Sequence, residues 1–582
     1  MIRKLVRQML TAQILSALTV SVCLLIDNIM IARFLGEEGI AAYGLANPVL
    51  ILIGALGTML SSGVQVACSR SLGIGSQEET NAGYSSAIGV AAVVSGVFML
   101  VVLLFSGPLA TVMGAGREGS LFDSTKGYLN GFILGAPGSM GALILVPFMQ
   151  MAGKSGLLIA AVLGMTVSDI AFDLLNVLVF DGGMFGMGLA SSLSYYVALI
   201  IGIFYFLSPR CVFRFSRRQI SRAKIRELFK GGVPSLVNMI ASVILVFAMN
   251  HLLMSSGGES AVAAFSVLTA IGKAPSCIST GKSGVSLTLA GILFNEEDRQ
   301  GLKDLVFYML RLAVVLGVVM CLILLILAPN LVSVFIADAL PSKPIAIRGV
   351  RLFAPGMIFC CLTGAMKGTY QGCGKAGTTE AISMLQNALL PVLAAVICGA
   401  LFGSEGTWLY FVIGEAATLI LLIAYTWLKT GRNPAVSDSL LLLPPDFGVS
   451  EEDLLEVSIR SMDEVIRASE AAAVFCREHG QPKKTSNHVA LCVEEMAGNV
   501  VRHGFEAGKD KSLSIRIQHK NKRWVLRFRD DCASFDPVHY VPLSEDLSSG
   551  IGIRLVMKMA DEVRYTYSMN LNNLTVIFRE QA

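Results

Sequence analysis

Two stretches of this chain match each other, Gly36-Glu37-Glu38-Gly39-Ile40-Ala41-Ala42-Tyr43 and Gly258-Glu259-Ser260-Ala261-Val262-Ala263-Ala264-Phe265. Further matches follow in the same order at nearly the same spacing: Ser62-Gly63-Val64 with Ser283-Gly284-Val285, the segment 150–154 with 371–375, and the pair Gly183/Gly186 with Gly403/Gly406. Similarity at one nearly fixed offset is typical of a duplicated structural unit. The sequence therefore predicts two halves of like topology.

Apolar stretches recur on either side of these matches, each of about 20 residues, the length that crosses a bilayer. We place six in each half, near 13–33, 45–68, 84–106, 128–150, 156–180, 184–207, 233–255, 262–293, 306–328, 346–370, 378–401 and 404–428. An even number of helices per half makes the repeats parallel, related by an axis along the membrane normal. Transporters use such pairs around a cavity that opens to alternate sides.

The composition supports a membrane protein. Of the 582 residues, 54% are hydrophobic and 15% are charged, and the mean hydropathy is +0.66. Soluble domains have about 45–50% apolar and about 25% charged residues, so a wholly soluble enzyme, a disordered chain and a fibrous repeat are all excluded. The net charge of +4 is too small to indicate a nucleic-acid partner.

Four regions follow from these patterns: an N-lobe (1–215), a C-lobe (216–430), a linker (431–450) and a soluble domain from 451 to 582, called the tail below. The basic residues predict orientation, because cytoplasmic loops are rich in Lys and Arg. One basic cluster precedes the first helix, and a second lies between the lobes: Arg210, Arg214, Arg217, Arg218, Arg222, Lys224, Arg226 and Lys230. Both termini and the tail are therefore expected to be cytoplasmic.

Three acidic residues interrupt the apolar stretches of the N-lobe. Asp27 lies in the first helix, and Asp169 and Asp173 lie one turn apart in the fifth. Charge within a membrane is costly, so such acids are candidate functional groups. If these two helices adjoin, the three carboxylates form a site for a hard cation or a proton, with Asn176 and Ser191 lining the same pocket. The alternative is that the acids pair with basic groups or lie near the membrane surface.

Several motifs of residues 10–430 resemble the multidrug and toxic compound extrusion (MATE) family. They are Asp27-Asn28-Ile29-Met30-Ile31-Ala32-Arg33-Phe34-Leu35-Gly36, Ala41-Ala42-Tyr43-Gly44-Leu45-Ala46-Asn47-Pro48, Gly231-Gly232-Val233-Pro234 and Tyr370-Gln371-Gly372-Cys373-Gly374-Lys375. The resemblance implies a membrane all-α fold of twelve transmembrane helices in two six-helix lobes. It also implies a multi-pass protein of the bacterial inner membrane that exports amphipathic, cationic compounds against an inward flow of cations.

The resemblance also implies residue roles. The family's cation site uses an aspartate of the first helix, matched by Asp27, and an Asn-x-x-x-Asp pair of the fifth, matched by Asp169 and Asp173. Because Asp169 replaces the family's asparagine, the coupling ion, H⁺ or Na⁺, stays open. Some members use an acid in the seventh helix, where Asn250 is the only candidate here. We expect Asn176, Ser191 and Asn250 to line the substrate cavity. Residues Lys273, Lys282 and Glu415 are weaker candidates for a polar cluster in the second lobe.

The tail contains three polar elements in sequence. A helix is predicted over 487–503, with Glu495, Asn499 and His503 on one face at intervals of four residues. Two strands follow, at 512–518 and 524–529, and the second leads into Asp530-Asp531. Then comes Ser549-Gly550-Ile551-Gly552-Ile553-Arg554-Leu555, and glycines that open a helix present backbone N–H groups to phosphate.

In order and spacing these elements resemble the boxes of Bergerat-fold ATPases, especially the anti-sigma-factor serine kinases. The resemblance implies an α+β domain that binds ATP and Mg²⁺, with Glu495 as general base and Asn499 as the Mg²⁺ ligand. Asp530 would accept the adenine amino group, and Gly550 and Gly552 would shape the phosphate loop. Cys532 stands where the family has glycine, and it would be strained if that position needed a positive φ.

We therefore expect a cation-coupled drug antiporter with a regulatory ATP-binding tail. Its expected partners are organic cations, the lipid bilayer and, for the tail, an anti-sigma-antagonist-like protein. Two alternatives stay open. One is a membrane-tethered serine protein kinase whose membrane half acts as a sensor. The other is a flippase for lipid-linked sugars, against which the acid cluster in one lobe argues mildly.

Overall fold

A computed structural model describes residues 2–208, 211–336, 341–433, 437–444, 446–505, 511–540 and 550–580. Arg210 and Ser549, both named above, and residues 434–436 and 445 of the predicted linker lie outside the described residues. The described chain consists of a long helical part, a short linker and a tail that contains one small sheet.

The first half is entirely helical. Its helices are α1 (Ile2–Phe34), α2 (Gly36–Ile74), α3 (Gln77–Ala110), α4 (Ser120–Ile133), α5 (Ala136–Met151), α6 (Ser155–Leu175) and α7 (Gly183–Phe206). Short π-helical turns extend α3 over Thr111–Ala115 and α6 over Asn176–Phe180, and a 3₁₀ turn at Arg217–Gln219 leads to the second half. Helix α3 begins where Ser76 accepts a hydrogen bond from the Glu79 backbone N–H, the usual role of an N-cap serine.

The second half repeats the pattern. Its helices are α8 (Arg222–Asn295), α9 (Arg299–Ser333), α10 (Ser342–Phe353), α11 (Gly356–Gly372), α12 (Ala376–Met384), α13 (Leu390–Phe402) and α14 (Tyr410–Thr430), with short turns at Leu385–Leu389 and Gly403–Leu409. Helix α8 is interrupted at Gly258, where φ is +64°. The bend between α4 and α5 (45°) has its counterpart between α10 and α11 (48°).

Glycines of the sequence repeat share one backbone conformation. The φ angle is +68° at Gly36 and +64° at Gly258, and it is +71° at Gly153 and +73° at its counterpart Gly374. Residues other than glycine adopt such positive φ angles only at a cost. The matched glycines therefore mark equivalent helix breaks in the two halves.

All twelve predicted apolar stretches lie in helical segments. By length and composition, eight helices of the described residues qualify as membrane spans, and ten do if each bent pair is one span. Ten spans and not twelve result for two reasons. Helix α1 does not qualify as a span, and the segment Ala376–Thr430, 55 residues long, is counted once although it contains two of the predicted stretches. Twelve spans therefore stay a prediction.

The two halves meet closely at one end. A Cβ on Gly63 of α2 would overlap the carbonyl oxygen of Leu228 in α8, and one on Gly73 would lie 2.5 Å from the carbonyl oxygen of Ile292. One apolar cluster combines residues of both halves at this end, whereas two other clusters each draw mainly on one half. We call the joined end the tail side, because the tail and linker also contribute to the shared cluster.

The tail packs helices on one face of a five-stranded antiparallel sheet. Its strand order is β1-β2-β3-β5-β4. After linker helix α15 (Ser437–Leu441) come β1 (Leu454–Ile459), α16 (Met462–Glu478), α17 (Lys483–Asn499) with a turn at Val500–Gly504, β2 (Leu513–Lys520), β3 (Arg523–Asp530), α18 (Ile551–Met559), β4 (Glu562–Ser568) and β5 (Leu571–Arg579). This mixed α+β layer agrees with the expected fold of the tail.

Candidate functional site

The three acids of the N-lobe lie on two adjacent helices. Helix α1 packs against α6, so Asp27 faces the element that carries Asp169 and Asp173. All three side chains are buried, with 6%, 4% and 0% of their surface exposed. The condition that the sequence left open, that these helices adjoin, is therefore met.

Four of the six oxygens of these carboxylates lack donors. Among the described residues, Asp27 Oδ1, Asp169 Oδ1 and both oxygens of Asp173 have no hydrogen-bond partner. No ion pair found in the described part of the chain involves any of the three. Buried charges without compensation are costly, so full ionisation of all three acids would be unfavourable in this structure.

Asp27 and Asp169 line a common cavity of about 20 Å³. A cavity of about 10–15 Å³ by this measure holds one water molecule, so the space suits a single small ion or water. Ser191, also in its wall, donates to Asp27 Oδ2 at 3.5 Å. The remaining lining residues are Cys23, Leu50, Tyr128, Phe132, Met165, Ser194 and Tyr195.

Two of the residues expected to line the substrate cavity, Asn176 and Asn250, lie away from this small cavity. Asn176 begins the turn after α6, donates to the carbonyl oxygen of Gly183 at 3.2 Å and packs against Gly186. Asn250 lies in α8 of the other lobe, and its Oδ1 is buried without a partner among the described residues. Neither lines the cavity. Asn176 is instead held at the turn after α6 by its contacts with Gly183 and Gly186.

The polar cluster of the second lobe differs from the expected one. Gln386 donates to both oxygens of Glu415, at 3.1 and 3.0 Å, and accepts from Lys367 Nζ at 3.0 Å. The two lysines suggested for this cluster do not join it. Lys282 is buried and donates to the carbonyl oxygen of Cys361 at 3.1 Å, and Lys273 is exposed.

The tail contains a pocket of about 430 Å³ between its helices and its sheet. Three of the residues proposed for nucleotide binding line it: Asn499, Asp530 and Gly550. It is otherwise lined largely by apolar and aromatic side chains such as Phe535 and Tyr540. A mostly apolar pocket with a few convergent polar groups is the usual form of a cofactor site.

Asp530 is fixed at the back of this pocket. Its Oδ1 accepts from Asn572 Nδ2 at 2.8 Å and from the Cys532 backbone N–H at 3.0 Å. Asn572 is in turn bonded to the Tyr565 hydroxyl, at 2.6 Å. Burial raises the pKa of the Asp530 carboxyl group, and the hydrogen bond from Asn572 opposes that rise. The sequence did not indicate Asn572, because it lies in β5 and reaches Asp530 only through the pairing of β5 with β3.

Glu495 lies beside the glycine loop. A Cβ on Gly552 would overlap its carboxylate, so a larger residue there would displace the Glu495 side chain from this position. Gly550 has a φ of +73° and stands directly before α18. Neither Glu495 nor Gly552 lines the pocket, but both stand at its glycine-loop end. The donor set of Asp530, Asn499 and a helix opened by glycine fits ATP with Mg²⁺.

Cys532 is not strained. It has no positive φ, so the cost expected if this position required one does not arise. Its side chain is buried, and that burial raises the pKa of the thiol to about 12. A Cβ on Gly504 would lie 2.8 Å from its sulfur. Cys532 therefore packs as a neutral group in the wall of the pocket.

Three further tail residues have the donor types of a metal site. Ligand atoms of Asp453, His479 and His519 all lie within 4.8 Å of one another. His479 is hydrogen-bonded to Asp453 at 3.2 Å and to the carbonyl oxygen of Phe475 at 2.8 Å, and His519 contacts Glu580 at 2.7 Å. These bonds engage both ring nitrogens of His479 and one of His519.

The membrane part of this chain is similar to proteins of a known family. Residues 12–175 and 234–397, together more than half of the chain, both match the family described as MatE. The chain belongs to the MatE family. The two matched segments begin at positions 12 and 234, the same spacing as that between Gly36 and Gly258 in the sequence repeat. This MatE chain also carries a histidine kinase-like ATPase domain over residues 460–578, which confirms the ATP-binding fold of the tail.

The relatives of this MatE chain cover its membrane part. Multidrug export protein MepA of Staphylococcus saprophyticus is 25% identical over 408 residues, which span 68% of this chain and 88% of that protein. A multidrug resistance MATE transporter solved in an outward-facing conformation has a TM-score of 0.67 at 20% identity, covering 72% of this chain and 94% of its own. A MOP superfamily transporter from Pyrococcus furiosus reaches 0.68 at 19% identity, covering 76% and 97%. These likenesses show a shared fold.

Proposed function

We propose that this protein exports amphipathic organic cations in exchange for an inward flow of H⁺ or Na⁺ through the cluster of Asp27, Asp169 and Asp173. The named relative is a multidrug export protein, which supports drugs as the class of substrate. The buried oxygens of the three acids, left without donors among the described residues, carry the proposal. Oxygen ligands of this kind suit a proton or a hard cation.

The cycle follows from charge balance in the N-lobe. When a proton or Na⁺ enters the cluster from outside, one negative charge is neutralised and a cationic substrate is released outward. When the cation leaves toward the cytoplasm, the negative charge returns and the affinity for a cationic substrate rises. Substrate and coupling ion thus alternate because both depend on the same carboxylates.

Proteoliposomes containing the full chain test this proposal. Uptake of a fluorescent organic cation is measured under a Na⁺ gradient and, separately, under a pH gradient, for the wild type and for Asp27→Asn. We expect one of the gradients to drive uptake and the variant to lose at least about tenfold in rate, a loss of about 1.4 kcal/mol of coupling. Uptake that ignores both gradients would contradict the proposal.

A matched control separates the site from a general effect of charge. Asp123 is exposed and lies in the first turn of α4, so Asp123→Asn makes the same chemical change outside the cluster. We expect it to transport like the wild type. Equal losses in the two variants would also contradict the proposal.

For the tail, we propose binding of ATP with Mg²⁺ and a cytoplasmic, regulatory role. Its contacts with the loops after α2, α5 and α8 support a position on the side where the basic segment between the lobes begins. Phosphorylation of an anti-sigma-antagonist-like protein is the second candidate, favoured by the place of Glu495 against Gly552. Glu495→Ala distinguishes the two: export that persists while phosphotransfer vanishes identifies an independent kinase.

A further inference from the structure

The tail contacts the C-lobe through the face of its sheet that carries no helices. Basic residues of β2 and β3 on this face meet the acidic loop that follows α8. Arg529 pairs with Glu296 at 2.5 Å, and Arg516 pairs with Asp298. At the end of β2, Lys520 pairs with Glu297 at 2.6 Å. Charge complementarity therefore defines this side of the contact.

The same face reaches the N-lobe through β4 and the β4–β5 turn. The Arg564 guanidinium donates to the carbonyl oxygen of Ile74, at the end of α2, at 2.8 Å. At the turn, the Met569 backbone N–H donates to the carbonyl oxygen of Met151 at 2.6 Å, and Asn570 Nδ2 donates to that of Gly153 at 2.8 Å. The Met569 side chain is buried in the apolar cluster that joins the lobes.

The two attachments differ in kind. The linker is fixed to the C-lobe, because Asp438 pairs with Arg299 at 3.0 Å and with Lys303 at 3.2 Å. The tail is therefore held to the C-lobe by the chain itself as well as by ion pairs. We call the contacts of the N-lobe with Arg564, Met569 and Asn570 the latch. The latch must break if the lobes separate on the tail side.

The latch and the nucleotide pocket lie on opposite faces of the same sheet, so a single layer separates them. Successive strand residues point to opposite faces. In β4, Arg564 contacts the N-lobe while the next residue, Tyr565, lines the pocket. In β3, Arg529 contacts the C-lobe while Asp530 lines the pocket. The loop after β3 borders the pocket as well, and its residues 536 and 538–539 face the α2–α3 loop across a cleft of about 400 Å³.

We propose that the tail is a clamp whose latch holds the two lobes together on the tail side, and that nucleotide in the tail pocket changes the strength of this latch. The inference rests on the proposed regulatory role of the tail and supplies its physical basis. Because the seam between α2 and α8 is closed in this structure, the latched tail favours the conformation that opens on the opposite side. Opening toward the tail requires the latch to release.

Hydrogen–deuterium exchange on the full chain in nanodiscs tests the clamp without any drug or ion gradient. The variant Arg564→Glu/Asn570→Gly removes the two side-chain hydrogen bonds of the latch and leaves the Met569 contacts in place, and glycine keeps the turn because φ at Asn570 is +59°. The control Arg523→Glu/Asn521→Gly makes the same changes at the β2–β3 turn, where φ at Asn521 is +52°. In the part of the chain that the structure describes, the side chains of Arg523 and Asn521 make no hydrogen bond or ion pair with either lobe.

We expect the latch variant to exchange at least about threefold faster than the control in peptides covering 74–80 and 151–156, and also in those covering 285–298 at the seam. If exchange is faster only in 74–80 and 151–156, the latch contacts the N-lobe but does not hold the two lobes together. That result would overturn the proposal. Equal exchange in both variants would overturn it as well.

The link to nucleotide is tested by measuring hydrogen–deuterium exchange with and without ATP and Mg²⁺, in the wild type and in Asp530→Asn. We expect ATP to change exchange in residues 74–80 at least about twofold in the wild type and to leave it unchanged in the variant. Identical exchange in the wild type with and without ATP would overturn the nucleotide link. Since no transport is measured, these outcomes are independent of whether the chain exchanges drugs for cations.

Discussion

At the scale of single residues, the buried carboxylates have two kinds of surroundings. Asp27, Asp169 and Asp173 have oxygens without donors in the described structure, and in the proposed function a coupling ion that enters and leaves balances their charge. Asp530 instead receives two hydrogen bonds that fix its orientation. The first arrangement suits exchange of a cation, and the second suits recognition of one fixed group on a ligand.

Asparagine at position 530 should weaken nucleotide binding. Asp530→Asn replaces a charged acceptor, and hydrogen bonds to charged groups contribute about 1.5–3 kcal/mol, so we expect the Kd for ATP to rise about 10- to 100-fold. Isothermal titration calorimetry on the full chain measures it. Asp531→Asn is the matched control, because Asp531 does not line the pocket and its side chain accepts from the Ser512 backbone N–H. Equal affinity in the two variants would exclude Asp530 from binding.

The pH dependence of ATP binding follows from the same carboxyl group. Burial raises the pKa of Asp530, and only the ionised form accepts the adenine amino group on either oxygen. We therefore expect affinity to fall as the pH drops through this raised pKa, at a higher pH than for an ordinary aspartate of pKa about 3.9. The Asp530→Asn variant corrects for titration of the phosphates. Parallel pH profiles in both proteins would show that Asp530 does not contribute.

Some of these residues could be predicted from the sequence. The three acids were recognisable because charge within a membrane helix is rare and costly. Cys23 lies one helical turn before Asp27, on the same helix face, and that spacing offered a signal for one further cavity residue. Asn572 could not be found, since only the pairing of β3 with β5 brings it to Asp530. The strain considered for Cys532 does not arise, because its backbone needs no positive φ.

At the scale of elements, the seam between α2 and α8 sets the conformation of the membrane part. Gly63 and Gly73 allow α2 to approach carbonyl oxygens of α8. Small residues permit this kind of close helix packing within membranes. The lobes are therefore joined by backbone contacts that a single methyl group would disturb.

A methyl group at the seam should loosen it. In Gly63→Ala the new Cβ would overlap the Leu228 carbonyl oxygen, and overpacking of this kind costs about 1–3 kcal/mol. We expect a lower melting temperature of the full chain in nanodiscs and faster hydrogen exchange at the tail-side ends of α2 and α8. Gly54→Ala is the control, because a Cβ there meets no atom within 4 Å. A Gly63 variant as stable as the control would argue against a tight seam.

The repeat and the apolar stretches predicted the elements well. Each matched glycine pair with positive φ marks equivalent breaks, and both bent helix pairs fall at corresponding places in the two halves. The π-helical turn after α6 could not be predicted, since hydrophobic periodicity does not distinguish it from a regular helix. Asn176, the first residue of that turn, packs on Gly186 and does not line the cavity of Asp27 and Asp169.

At the scale of the whole molecule, the tail spans the junction of two lobes that a transporter must separate and rejoin. The sequence predicted a membrane part and an ATP-binding tail, and both are confirmed by family matches. It did not predict their contact, because the basic residues of β2 and β3 and the acidic residues 296–298 are far apart in the chain. Such long-range pairs become visible only when the chain is folded.

The most direct test of the central claim is the movement of the coupling ion itself. Proteoliposomes containing the full chain are given a gradient of an organic cation but no gradient of H⁺ or Na⁺, and the flux of each ion is recorded. We predict that one of the two ions moves against the drug in the wild type and in Asp123→Asn, and that this movement disappears in Asp27→Asn. Drug movement without an opposing ion flux, or a flux that persists in Asp27→Asn, would contradict exchange at the buried acid cluster.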